Sequence, residues 1–200
     1  MRVLRVVVCA LMLPSGGITW AQDTPAAATT EVTINAARSL SSDLPYTLFY
    51  PEPMQLVEDG EDYTIATLEY PGAALHCDAM VGEGGAADWS AESAAASLDR
   101  AATEAAWLEQ FPGFAISAVE TVNLQSGPAM FYEGTSQNSP FGVPTTIFHA
   151  EAVDGGRTYI YECLADTTIA AGVKGLVDFL FANFSTRSDG ECCVDPAVKE

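Results

Sequence analysis

The clearest alternation of apolar and polar positions runs from Arg157 to Leu164. Tyr159, Tyr161 and Cys163 fall on one face, and Thr158, Ile160 and Glu162 on the other, the period of a half-buried strand. Thr167-Thr168 then offers an N-cap. Beyond it, Ile169, Val173, Leu176, Leu180 and Phe184 recur at spacings of 4, 3, 4 and 4, one face of a helix. A strand feeding directly into such a helix predicts a helix laid across a sheet.

Upstream, Tyr46 to Tyr50, Tyr63 to Tyr70 and Ala73 to Val81 read as strands, broken by Pro51-Glu52-Pro53 and Pro71-Gly72. In the third, Leu75, Cys77, Ala79 and Val81 share a face, with His76, Asp78 and Met80 opposite. Asp88 or Ser90 can cap a long helix with the stripe Ala94, Leu98, Ala101, Ala105 and Leu108, ended by Pro112-Gly113. Phe114 to Leu124 and Ala129 to Thr135 read as strands around Gly127-Pro128, and Asn138 to Pro144 as a loop. Thr145 to Val153 and Arg157 to Leu164 form a hairpin on Gly155-Gly156. That register sets Ala152 opposite Tyr159, Ala150 opposite Tyr161 and Phe148 opposite Cys163, with His149, Glu151 and Glu162 on the other face. Three strands, a helix, four strands and a closing helix predict one α+β domain with an antiparallel sheet and two main helices.

The N-terminus follows a different logic. Met1 to Arg5 is positive, Val6 to Leu13 is apolar, and Thr19-Trp20-Ala21 is a small-x-small site, the tripartite pattern of a signal peptide cleaved near Ala21. The apolar run is too short for a membrane span, and no later segment approaches one. The expected organisation is a signal peptide at 1–21, a tether and N-terminal segment at 22–43, the domain at 44–185 and a cysteine-containing tail at 186–200. The expected location is the periplasm or the outside of the cell.

Charge narrows the partners. Losing Arg2 and Arg5 with the signal peptide takes the formal net charge from −19 to −21. Such a chain repels nucleic acid and anionic lipid surfaces, and leaves cationic partners and divalent metals open.

The order of elements resembles the PsbP-like family, which includes the Ran-binding Mog proteins and bacterial DcrB-type exported proteins. The residues that carry the likeness are Tyr46 to Pro51, the long helix ending at Phe111-Pro112-Gly113-Phe114, and Gly127 to Tyr132. The Gly155-Gly156 hairpin and the closing run Leu176 to Phe184 complete it, so that it spans roughly Leu44 to Phe184. The resemblance implies an α-β-α sandwich that acts as an assembly or interaction module without known catalysis. It carries no functional residue over to this chain, and Cys192-Cys193 lies outside its pattern.

Candidate chemistry is sparse. Gly134-Thr135-Ser136-Gln137-Asn138 lacks the second glycine of a nucleophile elbow, and two histidines leave few options for a catalytic triad. Gly82 to Gly85 lacks phosphate-loop spacing, and Glu58 to Asp62 lacks the ligand alternation of a calcium loop, so both read as turns. No cofactor is expected. His76, His149 and Met80 are borderline or soft metal ligands that would form a site if the sheet aligned the two histidines on one face. The even set Cys77, Cys163, Cys192 and Cys193 remains after Cys9 leaves with the signal peptide. In an oxidising compartment that set implies disulfides, with three connectivities open. Facing alternation favours Cys77 with Cys163, which leaves Cys192 and Cys193 to pair with each other or with another chain. The residues therefore predict an exported, non-enzymatic interaction or assembly module for an unknown protein or small ligand. A periplasmic metal-binding protein is the alternative, and an unrecognised enzyme the second alternative.

Overall fold

The structure is a computed structural model, and describes residues 32–39, 41, 44–57 and 63–194. The segments expected to be a signal peptide (1–21), a tether (to Thr30) and an acidic turn (Glu58 to Asp62) lie outside the described residues.

Among the described residues, ten strands and three helices follow the order β1 (Ile34–Arg38), β2 (Thr47–Pro51), β3 (Gln55–Val57), β4 (Thr64–Tyr70), β5 (Leu75–Glu83), α1 (Ala91–Ser97), α2 (Arg100–Trp107), β6 (Ala115–Leu124), β7 (Gly127–Ser136), β8 (Thr145–Asp154), β9 (Arg157–Asp166), α3 (Ala170–Ala182) and β10 (Phe184–Ser185). Seven strands form one antiparallel sheet in the order β3-β4-β5-β9-β8-β7-β6, and β1-β2-β10 form a second, smaller sheet. The fold is α+β, as the sequence predicts.

The β8–β9 hairpin keeps the predicted register at Ala152/Tyr159, Ala150/Tyr161 and Phe148/Cys163. Gly155 and Gly156 both take positive φ, 58° and 77°, which the two-residue turn demands and glycine supplies at little cost. Tyr161, Cys163, Phe148, Ala150, Cys77 and Leu68 make one face of the large sheet, buried beneath α3 and the small sheet. On the other face, Phe111, Phe114, Ile116, Met130, Tyr132 and Ile147 form a second core with residues of α1 and α2 packed on it. A Cβ at Gly134 would stand 2.3 Å from the Phe114 ring, so that ring lies directly on the β7 backbone.

The predicted long helix is two helices. Ser90 caps the first, accepting from Ser93 N at 3.2 Å, but Asp99 caps a new one, accepting from Ala102 N at 3.1 Å. An aspartate able to bond the backbone ahead of it competes with helix continuation, and Leu98 leaves the helical region at φ −56°, ψ 116°. The break resets the phase of the stripe. Ala101, Ala105 and Leu108 turn to solvent, Leu108 with 47% exposure, and Trp107 turns inward instead.

The C-terminal helix is also shifted. Thr168 donates its N–H and its hydroxyl to Asp166 instead of capping, and α3 starts at Ala170. Its most buried positions are Val173, Val177, Leu180 and Phe181, the predicted Ile169 and Leu176 are partly buried and pack against the same core, and Phe184 enters it from β10. β1 falls within the stretch 22–43 and pairs with β2 along its whole length. Residues 187–194 lie against the body: Arg38 donates to Ser188 O and Gly190 O at 2.8 and 2.7 Å, and buried Asn183 bonds both backbone groups of Val194.

Candidate functional site

One register row crosses the large sheet on the face that α1 and α2 partly cover. It runs Thr67, Asp78, Glu162, His149, Tyr132, one residue from each of β4, β5, β9, β8 and β7. Thr67 Oγ1 donates to Asp78 Oδ1 at 2.6 Å, and His76 Nε2 donates to Asp78 Oδ2 at 2.8 Å. Burial works to raise the Asp78 carboxyl, but these two donors outweigh it and hold its pKa below the usual value. His149 Nδ1 donates to Glu162 Oε2 at 3.0 Å, and Nε2 lies 3.9 Å from Glu151. Its ring stacks on Tyr132 with centroids 4.4 Å apart, and Trp107 Nε1 of α2 donates to Tyr132 Oη at 2.9 Å. His149 is only 7% exposed, and burial opposes its charged form. The carboxylates of Glu151 and Glu162 outweigh that penalty, so its pKa is raised.

The two histidines share a face, as their alternation requires, but they sit in separate groups. His76 lies on β5 between Glu69 and Asp78, His149 lies on β8 between Glu151 and Glu162, and β9 runs between them. Met80 stands opposite Ile160, away from both in register. Carboxylates only accept, so each ring donates from the nitrogen that meets Asp78 or Glu162. Among the described residues no three His, Cys, Asp or Glu side chains converge in a way that holds a metal ion.

The cysteines lie elsewhere. Cys77 and Cys163 are direct register partners across β5 and β9, fully buried, with Cα atoms 4.0 Å apart, a placement in which a disulfide is possible. Cys192 and Cys193 sit side by side in the tail segment, between Glu191, held by Gln125, and Val194, held by Asn183.

A mostly apolar concavity lies at one end of the large sheet. A cleft of about 590 Å³ lies between the β4–β5 turn (Pro71 to Ala74), the loop from Gln137 to Pro144 and the end of β9. Pro71, Ala73, Phe141, Val143 and Leu164 give it apolar walls, and Glu69, His76 and Asp166 its charged groups. The loop is shaped from within. Ser139 Oγ donates to Val143 O at 2.6 Å and accepts from Phe141 N at 3.2 Å. The Phe141 side chain is thereby held outward, 60% exposed, with its ring 6.3 Å from Phe111. Backbone bonds fix the remaining walls: Asp166 N donates to Ala74 O at 3.2 Å, and Thr167 N to Pro144 O at 2.9 Å. The Asp166 carboxyl accepts from Thr168 N and Oγ1, which holds its pKa below the usual carboxylate value.

Sequence reasoning named His76 but missed Phe141, Glu69 and Asp166 as neighbours of it. Phe141 did carry a signal, an aromatic residue between two prolines in a loop with no periodicity to bury it. The meeting of that loop with the β4–β5 turn is set by sheet order, which no local pattern encodes.

No protein-family model matches the chain, and no curated protein does. Solved structures do match. Cyanobacterial PsbP (CyanoP) from Synechocystis sp. PCC 6803 is 10% identical with a TM-score of 0.51, over 87% of this chain and 98% of that one. The Saccharomyces cerevisiae Ran-binding protein Mog1p is 11% identical with a TM-score of 0.49, over 76% of this chain and 96% of that one. LpqN of Mycobacterium tuberculosis, involved in cell envelope biogenesis, is 12% identical with a TM-score of 0.48, over 77% and 90%. The fold of this chain is PsbP-like.

Proposed function

We propose that the protein is an exported, non-enzymatic interaction or assembly module that receives a partner in the cleft beside Phe141. The observation that carries this reading is a large aromatic side chain held out of its loop at the lip of a preformed, mostly apolar concavity. Its size is within the range of about 300–1,000 Å³ usual for ligand sites. Exposed aromatic anchors beside such concavities are where binding energy concentrates. The N-terminal pattern of the sequence supports export. A disulfide between Cys77 and Cys163 would fit an oxidising compartment.

Comparative co-purification tests this reading. Tagged protein and its Phe141→Ser variant are recovered from their own cells after mild crosslinking, and bound proteins are compared by mass spectrometry. The expected result is a partner retained by the parent and lost by the variant, with the variant's thermal midpoint unchanged. A partner set that does not depend on Phe141 would contradict the cleft as the binding place.

A further inference from the structure

Resting on the cleft as the binding place, we infer that it takes a peptide segment of a partner protein in which an apolar side chain is flanked by lysine or arginine. The apolar half follows from the walls. Pro71, Ala73, Val143 and Leu164 offer no polar side chain to a ligand, so a side chain seated among them is selected by the water it leaves behind. Phe141 closes one side and offers a ring face for an aliphatic or aromatic neighbour.

The charged half follows from what borders those walls. Glu69 enters from β4 and Asp166 from the end of β9, so carboxylates approach from two different elements. Among the described residues the lining holds no lysine or arginine, and its histidine, His76, lies between the carboxylates of Glu69 and Asp78. The chain as a whole carries a formal net charge of −19. An acidic or phosphorylated segment entering here meets repulsion at both rims. A basic residue next to the apolar anchor meets a carboxylate on either side of it. Long-range attraction from an acidic chain also speeds the encounter of a basic segment.

Glu69 and Asp166 differ in what else they do. Asp166 is tied to Thr168 at the start of α3, whereas the Glu69 side chain is about half exposed and lies 3.8 Å from His76. Glu69 is therefore the residue to vary, because its removal leaves the α3 entry untouched.

Three short peptides with the same leucine pair test the inference, one flanked by lysines, one by glutamines and one by glutamates. Each is titrated into isotope-labelled protein while the amide resonances of Ala73, Phe141 and Leu164 are followed by NMR. The lysine peptide should shift these resonances and bind about tenfold more tightly than the glutamine peptide. Raising salt from about 50 to about 500 mM should erase most of that difference, and Glu69→Gln should reduce it. If the glutamate peptide shifted the same resonances as strongly as the lysine peptide, the inferred charge would be wrong, while the cleft as a binding place would stand. If none of the three moved them, the inference would fall, and the cleft reading would then stand or fall on the native partner's dependence on Phe141.

Discussion

At the scale of single residues, the polar row on the sheet and the buried cysteine pair make the sharpest demands. His149 is buried with its pKa raised above 6.5 by Glu151 and Glu162. A group whose folded pKa is raised contributes stability that is fully present below its unfolded pKa and lost as pH climbs through the folded one. His149→Gln should therefore lower the thermal midpoint most below about pH 6.5, and the gap should narrow as pH rises past the folded pKa. Melting curves of both proteins across that range test it, and a gap that widened with pH would show that the carboxylates do not hold the charged ring. Asp78 behaves oppositely. Its lowered pKa gives stability that is present above its ordinary value of 3.8 and lost as pH falls through its folded value. Cys77 and Cys163 should be bonded, with no free thiol at either position. Their separation of 86 residues makes such a bond worth about 4–5 kcal/mol on the loop-entropy account. Non-reducing peptide mapping decides this, and a peptide joining Cys77 to Cys192 or Cys193 would refute the pairing.

At the scale of elements, the helices show what periodicity reveals and what it hides. The hairpin register was legible because alternation in β8 and β9 and a two-glycine turn all demand the same pairing. The stripe of the long helix was misleading because Asp99 bonds forward to Ala102 and restarts the helix out of phase. In α3, Asp166 takes Thr168 as its partner, so the helix begins later, and Val177 is fully buried while Leu176 packs at the edge of the same core. Competing side-chain bonds of this kind move helix ends without leaving a trace in the apolar pattern. β3 and β10, of three and two residues, are too short to show any period. These assignments separate two leucines that both sit on predicted stripes. Leu180 is fully buried, so Leu180→Ala should cost about 2–5 kcal/mol in denaturant unfolding. Leu108 is 47% exposed, so Leu108→Ala should fall within about 0.5 kcal/mol of the parent. Equal losses would mean that α2 packs on the sheet as its stripe first implies.

At the scale of the whole molecule, the cleft depends on topology more than on any local pattern. The β4–β5 turn and the β7–β8 loop are far apart in sequence, and sheet order together with the Asp166–Ala74 backbone bond brings them to one end. The sequence offered His76 and the acidic balance, and left the apolar walls unassigned. Only the assembled sheet sets Phe141 beside Leu164 and the β4–β5 turn. The most direct test of the cleft as the binding place is site-specific photocrosslinking in the native compartment. A photoreactive residue at position 141 is compared with one at position 108, which is also exposed but lies at the end of α2, outside the cleft lining. The account predicts one dominant protein adduct from position 141 and none from position 108. The same adduct from both positions, or from 108 alone, would contradict it.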